Sequence, residues 1–177
     1  YTNQDLYTMG TADVTLYAKW NANLLTVTFN KNDLNATGTM ANQSIYSGST
    51  AALSTNAFTK PGWTFAGWAT SASGAKVYDN QGTFSMGTTN ITLYAKWTAN
   101  SYKVNFRSGR LNSSGTMTSQ SILCDASANL NANGFTVPCM SFQGWSRSPN
   151  GTVEYSNEGI FKMGPADVDL YAVWSNA

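Results

Sequence analysis

Leu24–Asn30 reads LLTVTFN, with Leu25, Val27 and Phe29 alternating against threonine and asparagine. A period of two with β-branched residues predicts a half-buried strand. Ser101–Arg107 repeats the pattern through Tyr102, Val104 and Phe106. Met40–Tyr46 predicts a second strand that buries Met40 and Ile45 and forms a hairpin with the first. Trp63–Trp68 (WTFAGW) and Met140–Trp145 (MSFQGW) predict third strands, with Phe65 and Phe142 on one face. Gly67 and Gly144 fall inside those strands, where glycine marks a bulge or a close backbone approach. Phe84-x-Met86 and Phe161-x-Met163 are spaced for one face of an edge strand. Ile91–Trp97 (ITLYAKW) places Ile91, Leu93 and Ala95 on one face and Thr92, Tyr94 and Lys96 on the other. Ser49–Asn56 (STAALSTN) is the one helix candidate, with Ser49 as N-cap and Ala51, Ala52 and Leu53 as helix formers. The expected unit has about five strands and one short helix, a small mixed sheet packed on that helix.

The same pattern returns every 77 residues without a gap. YTNQDLYTMGTADVTLYAKW at 1–20, YDNQGTFSMGTTNITLYAKW at 78–97 and YSNEGIFKMGPADVDLYAVW at 155–174 are aligned by that spacing. The copies 21–97 and 98–174 are identical at 33 of 77 positions. Solenoid units run to roughly 20–50 residues, so a repeat of this length is a small domain in itself. The expected organisation is the closing fragment of an earlier copy (1–20), two repeats (21–97 and 98–174) and the start of a linker (175–177).

The residues V-T-F, F-x-G-W, a glycine turn at Gly74 or Gly151, and L-Y-A-K-W together resemble the Listeria–Bacteroides repeat, the B-repeat type of internalin-like surface proteins. The resemblance covers both repeats and the leading fragment. It implies tandem modules on bacterial cell-surface or secreted proteins, each with a ubiquitin-like β-grasp fold of α+β, mostly β, class. Two departures stand out. The turns after the first strands are Lys31-Asn32-Asp33 and Ser108-Gly109-Arg110 where an Asn-Gly-Gly turn is typical, and Val173 replaces Lys96. The family carries over no catalytic residues.

Composition narrows the chemistry. Aromatic residues make up 13% of the chain and charged residues 11%, against about 25% charged in ordinary soluble domains. Small domains have little interior, and the aromatic side chains supply the area they need. Ten basic and nine acidic residues are scattered singly, so no basic stripe offers itself to nucleic acid or an anionic membrane. No apolar run reaches the length of about 20 that crosses a bilayer.

Histidine is absent, which removes the commonest general base and metal ligand. Asp13 and the Asp167-x-Asp169 pair are the only candidates for an all-oxygen calcium site, and the middle repeat has Asn90 and Thr92 there. No carboxylate pair recurs between repeats. The expectation is a non-enzyme with no catalytic residue, no cofactor and no metal.

Cys124 and Cys139 both lie in the second full repeat, where the first has Ser47 and Gly62. They are either two buried thiols or a disulfide. Their joint appearance in one copy favours the disulfide, whose closure of a loop of about 15 residues would contribute roughly 3 kcal/mol in an oxidising compartment.

Trp68 and Trp145 are core candidates with Phe65 and Phe142. Trp20, Trp97 and Trp174 end each unit and are candidates to staple neighbours together. Trp63, Tyr94, Trp97, Tyr171 and Trp174 are the candidates for an aromatic binding face. The leading expectation is a stalk or spacer in an adhesin-like extracellular, cell-surface or wall-attached protein, with neighbouring repeats as its partners. The alternatives are a module that binds a host protein or glycan, and a self-assembling surface filament in which the 1–20 fragment completes a neighbouring chain.

Overall fold

The computed structural model describes residues 2–177; Tyr1, the first residue of the expected leading fragment, lies outside them. Residues 2–20 carry no strand, and Leu16 and Trp20 are exposed. Their counterparts Leu93 and Trp97 are covered because a sheet surrounds them, and residues 2–20 have no such sheet.

The first full repeat contains six strands: β1 (Leu24–Asn30), β2 (Gln43–Tyr46), β3 (Thr50–Ala52), β4 (Trp63–Ala69), β5 (Thr83–Ser85) and β6 (Ile91–Ala99). They form a four-stranded sheet in the order β2-β1-β6-β4 and a two-stranded ribbon of β3 with β5. β1 runs antiparallel to β2 and parallel to β6, and β4 is antiparallel to β6. The second repeat matches it element for element: β7 (Ser101–Arg107), β8 (Gln120–Leu123), β9 (Ser127–Asn129), β10 (Met140–Ser146), β11 (Ile160–Lys162) and β12 (Val168–Asn176). Its sheet is β8-β7-β12-β10, with the ribbon of β9 and β11 beside it.

No helix occurs among the described residues, which corrects the expected α+β, β-grasp class to all-β. The segment expected as a helix, Ser49–Asn56, instead holds β3 at Thr50–Ala52. Ala51 is half-buried and Leu53 buried, while Thr50 before them and Ala52 between them are exposed. That is a period of two, and Ala128 and Leu130 repeat it. Ser49 does not cap a helix. Its N–H donates to Tyr46 O at 3.0 Å and its carbonyl accepts from Met86 N–H at 2.9 Å. A helix this short has little stability of its own in water, whereas pairing with β5 satisfies the same backbone groups and buries Leu53.

The glycines inside the third strands make the expected bulge. The β4–β6 register shifts between Phe65 and Gly67, and the β10–β12 register between Phe142 and Gly144. Gly67 has φ 137°, and a β-carbon there would lie 2.4 Å from Tyr78 O. The bare backbone lets Tyr78 approach, and Trp68 N–H donates to Tyr78 O at 2.8 Å. The bulge thereby rolls Trp68 into the interior.

Each repeat has its own core, and the two share no residue. Trp68 is fully buried, with Phe29 and Phe65 at ring separations of 4.9 Å and Phe58 at 6.2 Å. Trp145 repeats this with Phe106, Phe142 and Phe135. Edge-to-face and tilted geometries of this kind add about 0.5–1.5 kcal/mol per pair beyond area burial. Neither indole N–H of Trp68 or Trp145 has an acceptor among the described residues. That costs about 1–3 kcal/mol each, and the aromatic packing outweighs it.

Candidate functional site

The feature that distinguishes this chain from two unconnected domains is the place where they meet. β6 ends at Ala99 and β7 begins at Ser101, so Asn100 alone separates the two sheets. Its backbone belongs to both. Asn100 N–H donates to Gly62 O at 2.9 Å in the first repeat, and Asn100 O accepts from Cys124 N–H at 2.8 Å in the second. Its side-chain Oδ1 accepts from Thr64 Oγ1 at 2.7 Å. A residue held at three points across two domains has little freedom to act as a hinge.

Charged and aromatic side chains continue the connection. Lys60 Nζ lies 2.6 Å from Asp33 Oδ2 and 3.8 Å from the centre of the Trp63 ring. Trp63 Nε1–H in turn donates to Asp125 Oδ2 of the second repeat at 3.0 Å. The order Asp33–Lys60–Trp63–Asp125 alternates anion, cation, π-face and anion, so each member favours the next. Lys60 holds the Asp33 carboxyl below the usual aspartate range, chiefly by its hydrogen bond. Gly62 packs against Cys124 and Pro165, and Pro165 joins Asn35 and Pro61 around a shallow groove beside the contact.

Cys124 and Cys139 are both free thiols, so the disulfide expected between them is not formed. The reason is placement. Cys124 is buried at the near end of the second repeat, against Gly62. Cys139 is exposed, and its carbonyl accepts from Ala177 N–H at the far end. Burial pushes the Cys124 thiol above its ordinary pKa.

The aromatic candidates divide. Trp63 is the junction residue just described. Trp97 and Trp174 turn back into their own repeats. Each packs edge-on against a phenylalanine of its own repeat, Phe65 at 5.7 Å and Phe142 at 5.6 Å. Each indole N–H also donates to a loop carbonyl of its own repeat, Lys31 O at 3.0 Å and Ser108 O at 2.8 Å. Tyr94 and Tyr171 are half-buried on the face opposite the leucines. The acidic candidates are occupied by structure: Asp167 Oδ1 accepts from Lys103 N–H at 2.7 Å, and Asp169 pairs with Arg107 at 3.2 Å. Asn90 makes the Asp167 contact in the first repeat, to Thr26 N–H. Asp13 is exposed in the leading fragment.

Tyr171 borders a groove of about 300 Å³ with Gly109, Arg110, Pro149 and Trp174. In the first repeat Asn32 stands where Gly109 does. Its amide donates to Ala72 O at 2.9 Å and Ala95 O at 3.1 Å. Pro149 and Ala172 are the corresponding residues of the second repeat.

Several structural residues were not singled out from the sequence. Gln43 donates to Ala52 O and accepts from Ser54 N–H, tying β2 to β3. Asn56 brackets Phe58, and Asn80 accepts from Asn56 N–H. Gln120, Asn133 and Asn157 repeat all of this. Their identity in both repeats was the available signal.

Comparison with known proteins gives a consistent picture. The model of the Listeria-Bacteroides repeat domain matches residues 26–96 and again 102–173. A protein of Evansella cellulosilytica described as a Gly-rich membrane protein is 38% identical over 104 residues, covering 58% of this chain and 12% of that protein. The chain thus spans about an eighth of that relative. No solved structure matches.

Proposed function

The chain belongs to the Listeria-Bacteroides repeat family, and from that premise we propose that it is a non-catalytic stalk or spacer segment of an extracellular, cell-surface protein. The observation that carries this reading is Asn100, one residue hydrogen-bonded into both repeats. Gly/Ser linkers let domains tumble independently. A single-residue connection with interlocking side chains transmits orientation from one repeat to the next. The separate cores support the same role, since each repeat buries its own aromatic cluster and shares no core residue with its neighbour. The membrane-protein description of the Evansella relative agrees with a surface location.

Pulling the chain from its ends tests the reading. A stalk should show two force peaks of similar height, each releasing roughly 250 Å of chain. Extension at forces far below those of ordinary domains would remove the mechanical role.

The groove beside Tyr171 favours a second reading, binding of a host glycan or peptide, because the first repeat fills the same place with Asn32. Tryptophan emission from the neighbouring Trp174 should then shift on a glycan or peptide ligand. An unchanged spectrum across a glycan panel would count against it.

A further inference from the structure

The inter-repeat contact has a counterpart at the far end of the second repeat. Adding 77 to each number maps Gly62 onto Cys139 and Asn100 onto Ala177. The hydrogen bonds follow the map: Asn100 N–H donates to Gly62 O at 2.9 Å, and Ala177 N–H to Cys139 O at 3.2 Å. Gly62 and Cys139 share a left-handed backbone, with φ of 76° and 59°. Glycine adopts it freely, whereas a cysteine there is strained. The Cys139 thiol is exposed, so burial does not compensate that strain.

What Gly62 faces supplies a reason for cysteine at this position. A β-carbon on Gly62 would lie 2.2 Å from Cys124 Sγ and 3.1 Å from Cys124 Cβ. Position 62 therefore looks directly at the buried thiol of the following repeat. Disulfide-bonded cysteines hold their β-carbons about 3.5–4.5 Å apart. Opening the contact by a few tenths of an ångström, which also relieves Pro165 Cβ at 3.0 Å, and turning one Sγ meets that requirement. The noncovalent ties also disappear where the thiol arrives: Lys60 and Trp63 become Val137 and Met140.

We propose that Cys139 is one half of an inter-repeat disulfide, whose other half is a cysteine at the Cys124 position of an adjoining repeat docked in the register seen between Gly62 and Cys124. The occupant of the far face is thus a repeat of the second kind. The Cys139 thiolate attacks a small-molecule disulfide and displaces one small thiol. The buried thiol of the neighbour loses its proton and attacks the Cys139 sulfur of that mixed disulfide, and the second small thiol leaves. Two protein thiols become one disulfide while one small disulfide is reduced to two thiols.

Gly62→Cys in the full chain recreates the pairing with Cys124. In a glutathione redox buffer, peptide mass spectrometry without reduction should find position 62 joined to Cys124 and Cys139 still free. The melting midpoint should fall by several degrees on reduction. A folded variant with position 62 and Cys124 both free, or with Cys124 joined to Cys139, overturns the proposal. Should that variant not fold, the chain can be extended by placing a second copy of residues 98–177 after Trp174. Cys139 should then bond the first cysteine of the added copy within one molecule. Free thiols there, or only chain-to-chain dimers through Cys139, overturn it equally.

Discussion

Asn32 and Gly109 hold the same left-handed place in their repeats, at φ 55° and 69°, but only Asn32 sends an amide across to the turn after β4 and to the backbone of β6. Asparagine tolerates this conformation better than other side chains. Gly109→Asn should let the second repeat copy the first, with the new amide donating to Pro149 O and Ala172 O. A β-carbon at Gly109 lies 2.9 Å from Ala172 O, so the β12 backbone must shift, which offsets part of the gain. The expected gain is about 0.5–1.5 kcal/mol, read as a higher melting midpoint for the second repeat alone. A lower midpoint would show that the groove's shape differs from that in the first repeat by more than this side chain.

The separation of the two cores gives a second expectation. Trp68 and Trp145 are fully buried at matching places. Truncating either to alanine should cost about 3–5 kcal/mol, the usual range for a large buried aromatic. In Trp68→Ala, hydrogen exchange should accelerate through β1 to β6, while protection in β7 to β12 stays close to that of the parent. Loss of protection in both repeats together would mean that they fold as one cooperative unit.

A third concerns pH. The Lys60 ammonium holds Asp33 below its ordinary pKa in the folded state. A depressed carboxyl contributes stability that is present above its unfolded pKa, about 3.9, and is lost as pH falls through the folded value. Asp33→Asn should therefore destabilise the first repeat at pH 7 by about 1 kcal/mol, in the range of partly exposed pairs. The difference from the parent should shrink below pH 4 and vanish in stronger acid. Arg110 and Val137 replace Asp33 and Lys60 in the second repeat, which should show no such dependence at that place. Urea titrations across the pH range, followed by repeat-specific amide signals, measure this. A penalty that persists undiminished at pH 2 would assign Asp33 another role.

The strands, the bulge glycines and the two core tryptophans were legible because each rests on local pattern. Alternation at Val27 and Phe29 has one physical meaning, and Gly67 before Trp68 leaves few options inside a strand. Propensity alone favours a helix over Ser49–Asn56, but tertiary pairing decides there: Ala51 and Leu53 also fit a period of two, and β5, some thirty residues on, supplies the partner. The cysteines misled through their sequence proximity. Nothing in the spacing of Cys124 and Cys139 says that they sit at opposite ends of a repeat. Trp97 ends a unit in sequence, which points to the contact between repeats, yet its indole reaches back to Lys31 O. The true contact residues, Gly62, Trp63 and Asn100, sit where the repeats differ or where one residue serves both. Internal comparison alone does not rank such positions.

The last prediction isolates the junction from the stability of the repeats. Trp63→Phe keeps a ring for Lys60 to face but removes the N–H that Asp125 accepts at 3.0 Å. Trp63 lies outside the buried core, so neither melting midpoint should move by more than the equivalent of about 0.5 kcal/mol. What should change is how tightly the repeats move together. Asn100 keeps its backbone bonds to Gly62 and Cys124, so the contact loosens without coming apart. Backbone ¹⁵N relaxation of the parent should give both repeats one shared rotational diffusion tensor. The variant should give two, with faster apparent tumbling of each repeat. Identical tensors in parent and variant would mean that the single-residue connection alone sets the stiffness. A drop in stability of several kcal/mol would instead make Trp63 part of the fold of the first repeat.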